Sequence, residues 1–291
     1  MIGTSMITRG GIPQGLVFAE HCGCTAAQLY VAPSRAWAVP PLSEFDRELF
    51  GRRWAQGPVS EIVAHASLLL NLASPNFELW RRSTDRLVAE VDRCLELGIS
   101  KIVFHPGSNA DKDEAIQLIS KALNEVAKRT VGVTILIENM AGQGNTLGSR
   151  FEEIAAILAL LEQPSRFGLC LDTCHAFAAG YDLRGLDGYF SVMDAIEKII
   201  PLTRIGTFHV NDSKVELGRR VDRHAEIIGG GHIGIDTFAA LMSDERFYGV
   251  PMIAEVPNGE ITSAPAVALL HELRAGHVPA RSLPLQSAFQ L

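Results

Sequence analysis

Short apolar runs alternate with longer stretches whose apolar residues recur at helical spacing, from Ile2 to Arg274. Ile2–Ser5, Ala27–Val31, Val59–Ala64, Lys101–Phe104, Val131–Ile137, Phe167–Leu171, Arg204–Phe208 and Val250–Ala254 read as strands. Helical patterns fall between them, over Gln14–Glu20, Ser43–Trp54, Asn76–Leu97, Asp113–Arg129, Phe151–Leu161, a region from Thr173 to about Ile200, Asp236–Met242 and Ser263–Arg274. Ser43 and the Ser74-Pro75-Asn76 group are start signals, and Gly98 is a stop signal. Pro33–Pro41, Ala141–Gly148 and Asn211–Gly234 read as loops.

Near-continuous apolar strands separated by helices imply a parallel sheet covered on both faces. Eight such units predict an α/β fold, a closed (β/α)8 TIM barrel over residues 1–275, followed by a C-terminal tail over 276–291 that is rich in Pro and Ser and poorly ordered. An open doubly wound sheet is the rival, and the lack of a G-x-G-x-x-G motif after an early strand lowers it. Repeats and low-complexity segments are not evident.

Composition narrows the class. In 291 residues, 47% are hydrophobic and 20% charged, enough for a large core. The net charge of −7 does not announce a nucleic-acid binder, though a local basic cleft or bound cations can replace a global excess. Neither a charged-then-apolar leader nor an apolar run of roughly 20 residues is present, which predicts a soluble, cytoplasmic protein with no membrane partner. Five cysteines form no framework and fit reduced thiols. Cys22-Gly23-Cys24 beside His21 is a poor zinc site and reads as structural.

The chemistry lies at the strand ends. The runs from the third to the eighth are followed by His65, His105, Glu138, Asp172, His209 and Glu255. Singly, each could be a satisfied core residue. Barrel strands end together on one face, however, so six such side chains must converge there. Three converging carboxylates would raise one another's pKa values unless cations neutralised them. Imidazole mixed with carboxylate favours zinc, with manganese or iron as possible substitutes. His175, Asp222 and His224 bring the candidates to nine, enough for three metals if one carboxylate bridges. Metals a few Å apart suit phosphoester displacement.

These residues stand in recognisable contexts: His105-Pro106-Gly107, Glu138-Asn139-Met140-Ala141-Gly142-Gln143-Gly144, Leu171-Asp172-Thr173-Cys174-His175, His209-Val210-Asn211-Asp212-Ser213-Lys214 and Val221-Asp222-Arg223-His224. In this order they resemble endonuclease IV, the zinc-dependent apurinic/apyrimidinic endonucleases (AP endonuclease family 2), from about Ile2 to Leu273. The resemblance implies a xylose-isomerase-like barrel with three zinc ions. It implies a deoxyribonuclease IV activity that hydrolyses the phosphodiester 5′ to abasic sites in double-stranded DNA, in base excision repair, by a monomer. One zinc would be held by His65, His105 and Glu138. Glu138 would bridge to a second, held also by Asp172, His209 and Glu255, and the third would be held by His175, Asp222 and His224. Asp172 and His175 would thus serve different ions. The resemblance further implies that Glu255 and Glu138 would carry the catalysis, with Glu255 orienting the attacking hydroxide.

DNA contacts are carried over onto two loops. Arg35 and Trp37 fit the first; Leu68 and Leu69 occupy the second, where Leu68 replaces a typical Tyr. An apolar wedge can still unstack bases. Ser5 replaces a typical His, and Ile227–His232 is rearranged with one extra residue. Lys214 and Arg223 are candidates for phosphate contact, and Asn139 and Gln143 for contact with the site or its supporting layer. Cys170 and Cys174, flanking Asp172, read as packing residues. Two other readings stay open: a xylose-isomerase-like sugar isomerase or epimerase with one or two divalent metals, and a non-catalytic lesion binder that uses metals structurally.

Overall fold

The apolar runs form eight parallel strands: β1 (Ile2–Ser5), β2 (Ala26–Tyr30), β3 (Glu61–His65), β4 (Lys101–Phe104), β5 (Thr134–Glu138), β6 (Phe167–Asp172), β7 (Ile205–His209) and β8 (Met252–Ala254). In the computed structural model, which describes residues 1–9 and 11–278, each strand pairs with the next and β8 pairs with β1, closing the barrel. Helices connect them: α1 (Ile12–His21), α2 (Glu44–Gln56), α3 (Phe77–Leu97), α4 (Lys112–Arg129), α5 (Phe151–Ala159), α6 (Thr173–Ala179), α7 (Gly185–Glu197), α8 (Ile235–Ser243) and α9 (Gly259–Arg274). Among the described residues, no helix is long and apolar enough to cross a membrane. The part of the expected tail at residues 279–291 lies outside the described residues.

Period-two alternation divides β3, β4, β5 and β6 between two cores. Outward residues such as Ile62, Ala64, Ile102, Phe104, Ile135, Ile137, Leu169 and Leu171 join the main core beneath the helices. Inward residues Val63, Val103, Leu136 and Cys170 form a separate buried cluster inside the barrel. Each lies two positions before His65, His105, Glu138 or Asp172, so those four ligand-type side chains also face inward, one layer higher.

Capping sets the helix starts. Ser43, Asn76 and Asp111 accept hydrogen bonds from the backbone N–H groups of Asp46, Leu79 and Glu114. Gly98 ends α3 in the left-handed conformation, φ 75°. Most boundaries shift by one or two residues from the sequence expectation, and three differences are larger or change the element count. The region after Asp172 is two helices, because Gly180 (φ 111°) terminates α6. β5 begins at Thr134, because Gly132 (φ 75°) turns the chain and leaves Val131 exposed. α9 begins a turn before Ser263 and contains Pro265.

Candidate metal centre

The six strand-end residues converge at the C-terminal mouth of the barrel. Glu138 is at their centre, with its side chain 1% exposed. Its Oε2 lies 3.3 Å from His65 Nε2 and 3.1 Å from His105 Nε2. Its Oε1 lies 3.0 Å from His209 Nδ1. The two oxygens of one carboxylate therefore serve two sets of neighbours. Ligand atoms of His65, His105 and Glu138 lie within 4.8 Å of one another, as do those of Glu138, Asp172, His209 and Glu255. Glu255 Oε2 approaches His209 Nδ1 at 3.2 Å.

Asp172 is also the N-cap of α6. Its Oδ1 accepts the His175 backbone N–H at 2.7 Å, and its Oδ2 accepts from Asn211 Nδ2 at 2.7 Å. A carboxylate capping a helix brings the third helical residue back over itself, which explains the spacing of Asp172 and His175. His175 Nε2 lies 3.3 Å from Asp222 Oδ2, and His224 Nε2 lies 3.2 Å from Asp222 Oδ1, so Asp222 approaches both imidazoles through different oxygens. The separation expected between Asp172 and His175 is not complete. Asp172 Oδ2 is 3.8 Å from His175 Nδ1 and 3.7 Å from His224 Nε2, and ligand atoms of Asp172, His175 and His224 form a group within 4.8 Å. Its carboxylate stands between the central and third sets because its strand ends where the helix begins.

Supporting groups fix the tautomers. His65 Nδ1 lies 2.8 Å from the Ala66 carbonyl, His175 Nδ1 2.9 Å from the Asn139 carbonyl, and His224 Nδ1 2.8 Å from the Glu255 carbonyl. A carbonyl can only accept, so each Nδ1 carries the proton and each Nε2 presents a lone pair to the carboxylates. His209 is reversed: Nε2 donates to Gln28 Oε1 at 2.7 Å, and Nδ1 faces the site. Gln28 also donates through Nε2 to Glu255 Oε1 at 2.7 Å and Ser5 Oγ at 3.1 Å. Buried on β2, Gln28 is a functional residue that pattern reading misses; an amide inside an apolar strand is its only sequence signal. Asn211, likewise missed, holds Asp172 and receives the Glu255 backbone N–H through Oδ1 at 2.8 Å.

The donor set fits cations. Lone pairs of imidazole nitrogen face carboxylate oxygens across gaps of about a hydrogen bond, an arrangement that repels unless something positive lies between. The Nε2 atoms of His175 and His224 are buried without a hydrogen-bond partner. Electrostatics agree. Burial disfavours charge on Glu138, yet His209 and His105 hold its carboxyl well below the usual range. Burial pushes Asp172 up, only partly offset by His175 and His224. Burial also opposes charge on His224, but Asp222 and Asp172 raise it to about 9. Against the effect of burial, His65, His175 and His209 are raised in the same way by the carboxylates around them. Cys170 and Cys174 are pushed up to about 12 by burial, so both are neutral thiols. Cys170 lies near Glu138 and His209, and Cys174 near Asp222 and His224.

The expected DNA-side residues surround this mouth unevenly. Arg35 and Leu68 are exposed, Leu68 at 40%, and Leu69 is half-buried. Trp37 is half-buried, with the Arg82 guanidinium 4.3 Å above its ring. Lys214 and Arg223 are exposed and paired through their backbones, Lys214 N–H to Arg223 carbonyl at 2.8 Å. Gln143 is half-buried in the loop after β5. Asn139 is 2% exposed, and its amide brackets the Asp172 backbone at 2.7 and 3.0 Å. Its place is therefore the supporting layer rather than DNA contact.

The Ile227–His232 segment also has a structural setting. Asp212, buried at 1%, accepts backbone N–H groups from Ser213 (2.7 Å), Gly229 (2.9 Å), Gly231 (2.8 Å) and Ile233 (3.0 Å). The loop carrying Asp222 and His224 thus wraps a carboxylate. Gly231 is required there, since a Cβ would meet Ser213 O at 2.4 Å and Asp212 Oδ1 at 2.5 Å.

A closed eight-stranded barrel with its acidic and imidazole groups gathered at the mouth defines a class, and the family model described as "Xylose isomerase-like TIM barrel" matches residues 16–275. A relative named "Probable endonuclease 4" from Chloroflexus aurantiacus is 38% identical over 262 residues, 89% of this chain and 92% of that one. Another of that name from Geobacter sulfurreducens is 40% identical over 263 residues, 89% of this chain and 88% of that one. The crystal structure of endonuclease IV from Thermus thermophilus superposes with a TM-score of 0.83 at 32% identity, covering 94% of this chain and 99% of that one. The chain belongs to the endonuclease IV family.

Proposed function

We propose that this protein hydrolyses the phosphodiester 5′ to abasic sites in double-stranded DNA, with zinc at three positions, acting as a cytoplasmic monomer. Family membership makes it a DNA-cleaving hydrolase. The observation that carries the finer reading is the third set, His175 with Asp222 and His224, beside a central carboxylate that faces two sets at once. A sugar isomerase with one or two metals has no use for that third set.

His65, His105 and Glu138 would hold one zinc, and Glu138, Asp172, His209 and Glu255 a second; His175, Asp222 and His224 would hold a third, with Asp222 between the two imidazoles. Bound there, zinc would supply Lewis acidity, ionising water near neutral pH and stabilising charge on phosphate oxygens. The chain's own groups divide the remaining work by exposure. Glu138 is sealed at 1%, so it fixes geometry. The Glu255 side chain is 20% exposed and reaches solvent at the mouth, where it orients the attacking oxygen. Gln28 holds its other oxygen, so the carboxylate cannot swing away. Arg35, Leu68 and Leu69 would meet the duplex, with Lys214 and Arg223 near its phosphates.

The test is incision of a duplex with one abasic site, against the same duplex undamaged. Zinc-loaded protein should nick 5′ to the lesion, a chelator should abolish nicking, and zinc should restore it. Glu255→Gln should eliminate cleavage while the fold persists. Absence of 5′ nicking by the zinc-loaded protein overturns the proposal, and one ion per chain by metal analysis would favour the isomerase reading.

A further inference from the structure

Helix α3 carries Arg86, Glu90 and Arg93 at a spacing that places them on one face. In a sequence such charges read as a solvated stripe. Here all three residues are buried, and the Arg86 and Glu90 side chains are 1% and 0% exposed. Arg86 Nη2 donates to Glu90 Oε1 at 2.9 Å. The pair then reaches outward in two directions. Arg86 donates to the carbonyls of Ala38 (2.5 Å) and Pro33 (3.1 Å), in the loop after β2. Glu90 Oε2 accepts the Ser67 backbone N–H at 3.1 Å, in the loop after β3. Arg93 adds bonds to the carbonyls of Pro40 (2.5 Å) and Val31 (3.3 Å). The loops are also joined directly, since the Ser34 carbonyl accepts from Leu68 N–H at 3.0 Å and Ser67 Oγ at 2.9 Å.

A buried ion pair is a poor device for stability, because desolvating both charges can exceed their attraction. This pair directs its remaining hydrogen bonds to two loops that border the metal-centre mouth and expose Arg35 and Leu68. Resting on the endonuclease reading, we propose that Arg86 and Glu90 are positioning residues for substrate recognition. They lock the loops after β2 and β3 into one pre-shaped edge, so that DNA binding does not have to bear the cost of ordering them. Neither touches substrate or metal.

The test is the double variant Arg86→Met with Glu90→Leu, which substitutes apolar volume for the ion pair and removes its loop bonds. Arg86→Met with Glu90→Gln is the milder version: it leaves no buried charge unpaired and keeps an acceptor for the Ser67 N–H, so of the loop bonds only those to Ala38 and Pro33 are lost. Hydrogen exchange should speed up at Ser67, Leu68 and the 33–40 segment, while the β3 and β4 amides and bound metal stay as in the wild type. KM for an abasic duplex should rise about tenfold, which is about 1.4 kcal/mol of binding, with kcat changed by less than about twofold, the pattern for lost uniform binding. Loops as protected as in the wild type overturn the clamp. Loosened loops with unchanged KM overturn its role in recognition. Wild-type protein inert on the abasic duplex overturns the endonuclease reading, and the exchange result still decides the clamp.

Discussion

Asp212→Asn isolates the loop that brings Asp222 and His224 to the centre. The native carboxylate accepts four backbone N–H groups, three of them from residues 229–233. An amide of the same shape keeps one oxygen and turns an NH2 toward donors. Two of the four N–H groups then lose their acceptor, at about 1–3 kcal/mol each when buried. The other two bonds lose charge assistance, which roughly halves them. These terms overlap, and a net loss of about 3 kcal/mol is expected. For a chain of this size that lowers Tm by about 5 °C in the metal-free protein. The damage is directional. Ala225 N–H also bonds to the Asp212 carbonyl at 2.8 Å, and Ser213 bridges His224, so the third set loosens while His65, His105 and Glu138 keep their own anchors. Equilibrium dialysis should show one weakened zinc position and the others unchanged. A variant with wild-type Tm and wild-type metal stoichiometry would refute the reasoning.

Gln28→Leu should lower metal affinity or kcat by about 10–100-fold, the usual cost of losing a supporting hydrogen bond at a metal centre; equal metal content and steady-state rates would contradict it. Leu68→Tyr should tighten binding to abasic duplex by about 1 kcal/mol, the low end for base–aromatic stacking, read as a roughly fivefold fall in Kd by anisotropy. Tyr189 donates to Asp244 Oδ2 at 2.8 Å, and although burial raises the Asp244 pKa, bonds from Arg246 and Tyr189 hold it below the ordinary carboxylate value. A depressed folded pKa stabilises above the unfolded pKa and is lost as pH falls through the folded one. The Tm gap between wild type and Asp244→Asn should therefore be constant above about pH 5 and shrink below about pH 4; a gap unchanged at low pH would count against this pairing.

What can be read from the chain depends on the range of the interaction. The six strand-end His, Glu and Asp residues are legible because a parallel barrel fixes where strands end, and each closes a short apolar run. His175, Asp222 and His224 are different: two of them lie in an irregular loop, and only the family motifs tie them to the site. Gln28, Asn211 and Asp212 escape pattern reading because their partners are far along the chain or are backbone groups, which carry no residue signal. Asp212, for example, meets N–H groups 17 to 21 residues on. Asn139 is legible as a supporting residue only from its motif; what it supports, the backbone of Asp172 on the neighbouring strand, carries no signal in the chain. Element ends shift where single glycines, Gly132 and Gly180, take left-handed conformations that overrule apolar continuity.

The double duty of Asp172 limits how this protein can change over time. One oxygen starts a helix and the other faces the metal centre, so strand end, helix start and His175 form a single covalent ruler. Inserting or deleting one residue between Asp172 and His175 would swing the imidazole about 100° around the helix axis and out of the mouth. That stretch is closed to changes of length, whatever substitutions it tolerates. The loop from Asn211 to Gly234 differs: its Gly229–Ile233 part is pinned by Asp212, whereas residues 216–221 are mostly exposed and can change length without moving that cradle. Divergence in this chain should therefore accumulate as insertions over residues 216–221 and as substitutions, never as insertions, between Asp172 and His175.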